Sequence, residues 1–146
     1  MTGFSGAFGL TLLLAAGPSL AGGPATLYDS LGGAPGVSAI SAELIDRAAA
    51  DPVLGRSFKD SNLKRVKEHL AEQICRLAGG GCTYTGDDMR TVHAGHDITG
   101  GEFYGLVDML TDIMKEHGIA LADRNRLLAL LAPMKRDVVR VPADAH

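Results

Sequence analysis

The sequence has little excess charge and no block of like charges. Among its 146 residues, 14 are Lys or Arg and 17 are Asp or Glu, which gives a formal net charge of −3. A surface that binds nucleic acid or an anionic membrane concentrates Lys and Arg on one face. The composition therefore argues against both kinds of partner. With 46% apolar residues, the chain is long enough for one globular domain with a buried core.

The sequence also lacks runs of alternating apolar and polar residues, which would indicate strands, so an all-α fold is predicted. Apolar residues recur every three or four positions, the spacing of one helix face, over residues 36–50, 62–78, 99–118 and 122–139. Shorter helical pieces are predicted at 26–31 and 88–94. Asn62 is a suitable N-cap for its helix, Asp87 or Asp88 can cap the piece at 88–94, and Thr99 opens the helix that follows. Pro133 lies inside the last segment, which it should kink.

Residues 1–21 are uncharged and have an apolar centre from Phe8 to Ala16, followed by small residues up to Ala21. This pattern is typical of an export signal cleaved after Ala21, although no Lys or Arg precedes the apolar run. The run is shorter than the roughly 20 residues that span a bilayer. We therefore expect a processed domain of residues 22–146 that is exported, periplasmic in a bacterium, and not stably inserted in the membrane.

Only two cysteines are present, Cys75 and Cys82, on either side of three consecutive glycines. An oxidising compartment permits a disulfide that the cytosol would reduce. Such a bond would join the end of a helix to the following loop. Two free thiols are the alternative, and the sequence leaves both open.

The stretch DMRTVHAGHDI holds His93 and His96. A neutral imidazole is the commonest transition-metal ligand, and a single histidine often holds haem iron. Read by itself, however, a lone histidine is more often hydrogen-bonded or solvated than a ligand, and His96 is expected at the surface. A zinc site would need four ligands at defined spacing, which the sequence lacks. It also lacks the Cys-x-x-Cys-His pattern of covalent haem attachment and any spacing typical of a nucleophile with its base.

Five segments, taken in order and spacing, resemble the truncated haemoglobins, specifically group 1. They are TLYDSLGG, AADPVL with the following Phe58, LAGGGCTYTG, MRTVHAG and ITGGEF, and the resemblance covers residues 26–139. Each segment alone is weakly diagnostic. Together they imply a two-over-two helical sandwich around non-covalently held haem b, with His93 as the proximal ligand to iron.

The resemblance also implies which residues line the haem pocket. Besides His93, these are Phe58, Tyr84, Met89, Ile98 and Phe103. Ordinary packing in the core is the alternative role for these five residues. Relatives commonly place hydrogen-bond donors at positions that are Ile45, Val66 and Leu70 here, so the wall near the iron is apolar unless Gln73 or Tyr84 reaches in. Bound dioxygen without a hydrogen bond should dissociate and oxidise more readily. Efficient nitric oxide dioxygenation is therefore not expected.

His69 lies one turn past the usual distal contact, where some relatives supply a sixth iron ligand; contact with a haem propionate is the alternative. The resemblance implies reversible binding of dioxygen, nitric oxide or carbon monoxide, as in oxygen transport. Three other functions stay open. The first is electron transfer or redox sensing through a bis-histidyl iron, with a protein partner. The second is nitric oxide dioxygenase or peroxidase-like catalysis with a reductase, and the third is a helical interaction domain without haem.

Overall fold

The computed structural model describes residues 22–140 together with residues 2, 3 and 17, so the predicted export signal falls almost wholly outside the described residues. Residues 22–140 contain no strand, and their α-helices are α1 Leu27–Ser30, α2 Gly33–Ala50, α3 Leu63–Leu77, α4 Met89–Val92, α5 Gly100–Glu116, α6 Leu121–Leu131 and α7 Lys135–Val138. Two 3₁₀ helices span Leu54–Phe58 and Ala132–Met134. None of the described helices has both the length and the apolar character needed to cross a lipid bilayer.

Side-chain caps mark the start of four described helices, among them α3, α4 and α5. The Asn62 side chain accepts a hydrogen bond from the backbone of Arg65, and Asp88 caps α4. Thr99 caps α5 through a capping box with Glu102, in which each side chain accepts a hydrogen bond from the other residue's backbone N–H. These side chains satisfy N–H groups that the first helical turn leaves free. The predicted N-cap at Asn62 is confirmed, Asp88 is the cap of the two candidates for α4, and the helix predicted to open at Thr99 does so.

Helix α2 begins at Gly33, three residues before the predicted start at Gly36. Gly32 and Gly33 have positive φ angles of 92° and 63°, a conformation that glycine adopts without a side-chain clash. Pro35 then lies in the first helical turn. A backbone N–H has no intrahelical acceptor there, so the helix loses no hydrogen bond to the proline. The glycine pair therefore ends α1 and starts α2 at once.

At Pro133, where a kink was predicted, the α-helix is interrupted completely. Helix α6 ends at Leu131, a short 3₁₀ turn contains Pro133, and α7 starts at Lys135. Proline lacks the N–H that would continue the α-helical pattern. The interruption redirects the chain so that α7 contacts α4 and α5.

The core is formed where α2 packs against α3 and α5, with α1 and α6 closing it. Its most deeply buried large side chains include Leu31, Ile40, Leu44, Ile74, Ile113, Met114 and Leu127. Leu44 and Leu110 belong both to this core and to the wall of a neighbouring cavity. The same helices therefore bury the core and shape the cavity.

Cys75 and Cys82 form a disulfide, with their Cα atoms 5.7 Å apart. Of the two alternatives that the sequence left open, the structure has the bonded one. Gly80 lies against the bond, because a Cβ at this position would be 2.5 Å from Cys75 Sγ and 2.7 Å from Cγ of Tyr28. Only glycine fits there without movement of its neighbours.

Candidate functional site

A cavity of about 310 Å³ lies among α2, α3, α4, α5 and the 3₁₀ helix Leu54–Phe58. All ten predicted site residues lie on its wall: Ile45, Phe58, Val66, His69, Leu70, Tyr84, Met89, His93, Ile98 and Phe103. Most of the remaining wall is aliphatic. The volume of the cavity is within the range of small-molecule and cofactor sites. The fold thus brings the predicted residues to one place.

Helix α3 supplies one face of the wall. Val66, His69, Leu70 and Gln73 all line the cavity, and their spacing of three and four residues places them on one side of a helix. Ile45 contributes from α2 and is buried. Near these residues the wall is therefore apolar apart from one imidazole and one amide.

His93 lines the cavity from the C-terminal end of α4, where it is the C-cap residue. Its Nδ1 lies 2.8 Å from the carbonyl oxygen of Met89. A carbonyl oxygen only accepts, so Nδ1 carries the proton and Nε2 keeps its lone pair. The half-buried imidazole therefore presents an unprotonated nitrogen.

The electrostatic surroundings also favour the neutral form of His93. Burial lowers the pKa of the imidazole, against the opposing effect of the hydrogen bond to Met89, and the electrostatic effects of His96 and Arg140 lower it further. Since the ordinary pKa of histidine is already below neutrality, the ring is uncharged at pH 7. A neutral imidazole is the form that binds a metal ion.

Arg56 holds the loop between His93 and α5. Its guanidinium donates to the carbonyl oxygens of His96 at 2.8 Å and Asp97 at 3.0 Å. It also forms a two-pronged ion pair with the carboxylate of Glu102, both N···O distances being 2.7 Å. The hydrogen bonds from Arg56, and then those from Thr99, hold the pKa of Glu102 below its ordinary value.

Arg140 also holds the His93 segment, at residues on both sides of the histidine. Its backbone N–H donates to the carbonyl of Ile98 at 2.9 Å, and its guanidinium donates to the carbonyl of Arg90 at 3.0 Å. Arg90 in turn pairs with Asp137 at 2.9 Å. The segment that carries His93 is thus attached both to the 3₁₀ helix at Leu54–Phe58 and to the end of α7.

The expectation that His96 lies at the surface is met only in part. His96 is half-buried and lines the cavity. It is flanked by Gly95 and Asp97, whose φ angles are both positive, at 80° and 49°. These two residues reverse the chain on either side of His96, and a positive φ at an aspartate is uncommon. The sequence carries no signal for this conformation at Asp97.

Of the two polar residues that could extend into the apolar wall, Tyr84 is engaged elsewhere. Its hydroxyl donates to the carbonyl of Asp87 at 2.7 Å, and its ring lies edge-on to His69 with centroids 5.9 Å apart. Gln73 is 4% exposed, its Nε2 donates to Met134 Sδ at 3.1 Å, and its Oε1 has no hydrogen-bond partner among the described residues.

The chemistry of this wall fits a large apolar cofactor held by one coordinate bond. A mostly aliphatic and aromatic cavity favours an apolar ligand, and His93 offers one imidazole nitrogen with a free lone pair. Haem iron needs only one such protein ligand. Sequence reasoning did not find Arg56 or Glu102; the Thr99–Glu102 capping-box spacing could have indicated Glu102, whereas nothing in the sequence marks Arg56.

Comparisons with known proteins give consistent matches. Residues 26–140 match the family described as bacterial-like globin. The chain is 29% identical over 115 residues to the group 1 truncated hemoglobin GlbN of Mycolicibacterium paratuberculosis, covering 79% of this chain and 85% of the relative. It is 28% identical over 110 residues to GlbN of a Nostoc species, covering 75% and 93%.

Solved structures give the same picture of the fold. Truncated hemoglobin from Tetrahymena pyriformis, in its Fe(III) form, superposes with a TM-score of 0.75 at 22% identity, covering 80% of this chain and 100% of the other. The 2/2 hemoglobin from Synechococcus, in the cyanomet state with covalently attached heme, gives 0.73 at 21% identity, covering 79% and 98%. The predicted all-α, two-over-two fold is confirmed.

Proposed function

The chain belongs to the bacterial-like globin family, among the group 1 truncated haemoglobins, and from this we propose that its cavity binds haem b non-covalently. Nε2 of His93 is the proximal ligand to iron in this proposal. With haem held there, the protein would bind dioxygen, nitric oxide or carbon monoxide reversibly, a function of the oxygen-binding or oxygen-transport kind. The relatives are truncated haemoglobins, which supports haem binding at the level of the family.

The observation that carries the proposal is the hydrogen bond from His93 Nδ1 to the carbonyl of Met89, 2.8 Å long. A metal-ligating histidine usually donates its other ring N–H to a carbonyl or carboxylate, which fixes the tautomer and makes the ligating nitrogen more basic. Here that partner is in place, and the ring faces a cavity of cofactor size. Neither feature is needed by a histidine that only packs in a core.

When bound, haem would supply an iron that can take up a small ligand. The residues of this chain determine how that ligand is held. Ile45, Val66 and Leu70 keep water away from their part of the cavity but donate no hydrogen bond to a ligand. The ligand therefore leaves readily, which suits reversible binding better than nitric oxide dioxygenation or peroxidase-like catalysis. Sustained dioxygenation would also need a reductase partner.

The decisive experiment compares two histidine variants after reconstitution with hemin. We expect the wild-type protein and His117→Ala to take up haem and show a Soret band, because His117 pairs with Glu43 on the surface and does not line the cavity. We expect His93→Gly to lose the pigment, and added imidazole to restore it. A His93→Gly protein with wild-type bands would contradict the assignment of the ligand. A wild-type protein without a Soret band would favour a helical interaction domain.

A second candidate function rests on His69, which lines the same cavity from α3. If its imidazole also bound the iron, the iron would have two histidine ligands. Its coordination would then not need to change on oxidation, which would suit electron transfer or redox sensing with a protein partner. Contact with a haem propionate is the alternative role. Ferrous and ferric spectra of the wild type and of His69→Ala distinguish these: a six-coordinate low-spin spectrum that becomes five-coordinate in the variant supports ligation, whereas an unchanged spectrum excludes it.

We also propose that the protein is exported. The disulfide between Cys75 and Cys82 supports this, because such bonds persist in oxidising compartments and are rare in the cytosol. Expression of the full chain in a bacterium, followed by mass measurement of the periplasmic fraction, tests the proposal. We expect a product that starts after Ala21. An uncleaved chain that remains in the cytoplasm would contradict it.

A further inference from the structure

The loop between His93 and α5 has few contacts of its own that would hold it. Gly95 and Ala94 are exposed, and the turn hydrogen bond from the N–H of His96 to the carbonyl of His93 is long, at 3.4 Å. At its far end the loop is joined to Arg140 through the carbonyl of Ile98. Between these points the carbonyls of His96 and Asp97 are free to accept hydrogen bonds.

Arg56 supplies hydrogen bonds to both carbonyls, at 2.8 and 3.0 Å. The same guanidinium is fixed in direction by Glu102, whose side chain is 7% exposed, through two N···O contacts of 2.7 Å. A planar guanidinium that binds a carboxylate with two parallel bonds has a defined orientation. Arg56 is therefore a rigid link from the 3₁₀ helix Leu54–Phe58 to the loop that follows His93.

We propose that Arg56, oriented by Glu102, is a positioning residue for His93: it fixes the loop after this histidine and so sets the direction of the bond from Nε2 to the haem iron. The proposal rests on the proposed function. The side of His93 toward α4 is already fixed by its hydrogen bond to Met89 and by the contact of Arg140 with Arg90. Arg56 completes the support on the other side.

The link has a second consequence, because the 3₁₀ helix that carries Arg56 also carries Phe58, and Phe58 lines the cavity. Displacement of this helix would thus move an aromatic side chain on the cavity wall and the loop after His93 together. Two separate parts of the wall are coupled through one guanidinium. A lysine at this position could not bind two carbonyls and a carboxylate in a single plane.

The first test needs no haem. In the apo-protein, Arg56→Met should speed backbone hydrogen exchange at residues 94–98, because the carbonyl contacts that hold this loop are lost. Arg47→Met is the matched control, since Arg47 also pairs with carboxylates, those of Glu43 and Glu116, but does not line the cavity. Exchange at residues 94–98 should stay at the wild-type rate in the control. An unchanged rate in Arg56→Met would overturn the proposed link.

The second test uses the hemin-reconstituted protein. We expect Arg56→Met to lose haem about tenfold faster than the wild type, in line with other outer partners of metal-ligating histidines, and to shift the iron–histidine stretching band of the ferrous protein. Arg56→Lys should give an intermediate rate, and Arg47→Met should change neither quantity. Wild-type haem loss and an unshifted band in Arg56→Met would overturn the positioning role.

Removal of Arg56 alone leaves the buried carboxylate of Glu102 unpaired, which can destabilise the fold. The double variant Arg56→Met/Glu102→Gln removes that charge and decides the question if the single variant does not fold. The same faster exchange and haem loss are expected from it. A wild-type protein that takes up no haem would refute the proposed function, whereas the exchange measurement on the apo-protein still reports on the link itself.

Discussion

The disulfide between Cys75 and Cys82 allows a quantitative prediction of stability. The bonded residues are seven apart in the sequence, so the bond closes a short loop. In the chain-entropy description, a cross-link stabilises the fold because it restricts the unfolded chain, and a loop of this length corresponds to about 8 cal/mol/K. At 25 °C this is about 2.4 kcal/mol. Replacement of both cysteines by alanine should lower the free energy of unfolding by this amount.

Hydrogen bonds at the same corner do not substitute for the disulfide. The carboxylate of Glu72 accepts from the backbone N–H and the hydroxyl of Thr85, at 2.9 and 2.8 Å, and the N–H of Tyr28 donates to Ala78 at 2.9 Å. These contacts hold the folded corner in place, but they put no restriction on the unfolded chain. The double alanine variant should therefore keep the native corner and still lose stability.

Urea denaturation of the haem-free protein, with and without a thiol reductant, tests the prediction. We expect the variant Cys75→Ala/Cys82→Ala to be about 2.4 kcal/mol less stable than the oxidised wild type. The reductant should bring the wild type to the stability of the variant and leave the variant unchanged. A loss below about 0.5 kcal/mol, far under the typical effect of about 2–4 kcal/mol, would refute the reasoning.

Three further predictions concern the cavity and the loop that Arg56 holds. Gln73→Leu removes a buried amide oxygen that has no partner among the described residues, so thermal unfolding of the apo-protein should show no loss of stability, or a gain of up to about 1 kcal/mol. Leu70→Gln adds a hydrogen-bond donor to the apolar wall and should slow dioxygen release by roughly fivefold in stopped-flow experiments. Glu102→Gln should be less stable than the wild type at pH 7. Urea denaturation across pH should show this difference begin to shrink as the pH falls through the ordinary glutamate pKa of about 4.3, and disappear once the pH is below the lowered pKa of the folded-state carboxyl.

Helix boundaries could be predicted where one residue determines them. Asn62 and Thr99 each cap their own helix through contacts three residues away, so the sequence alone contains the signal. The start of α2 was predicted too late because Gly32 and Gly33 fit the end of one helix and the beginning of the next equally well. The difference depends on their φ angles, which no residue type specifies when both are glycine.

The candidate site could be predicted in part. The ten expected residues all line one cavity. They could be predicted because the resemblance assigned each of them to a known position in a known fold. Arg56 was missed because two of its partners are backbone carbonyls, at His96 and Asp97, 40 and 41 positions further along the chain. A carbonyl is the same at every residue, so the sequence carries no mark of such a contact. Only the folded backbone reveals it.

Under the proposed function, the two sides of the cavity control ligand binding in different ways. The aliphatic wall of Ile45, Val66 and Leu70 donates no hydrogen bond, and Tyr84 is engaged with Asp87, so this side distinguishes little between ligands of different polarity. The His93 side controls the bond between the imidazole and the iron. It therefore changes the affinity of the iron for every ligand. Substitutions of Arg56 should accordingly shift the affinities for dioxygen and carbon monoxide by similar factors. Leu70→Gln should instead favour dioxygen, because the more polar ligand gains more from a new donor.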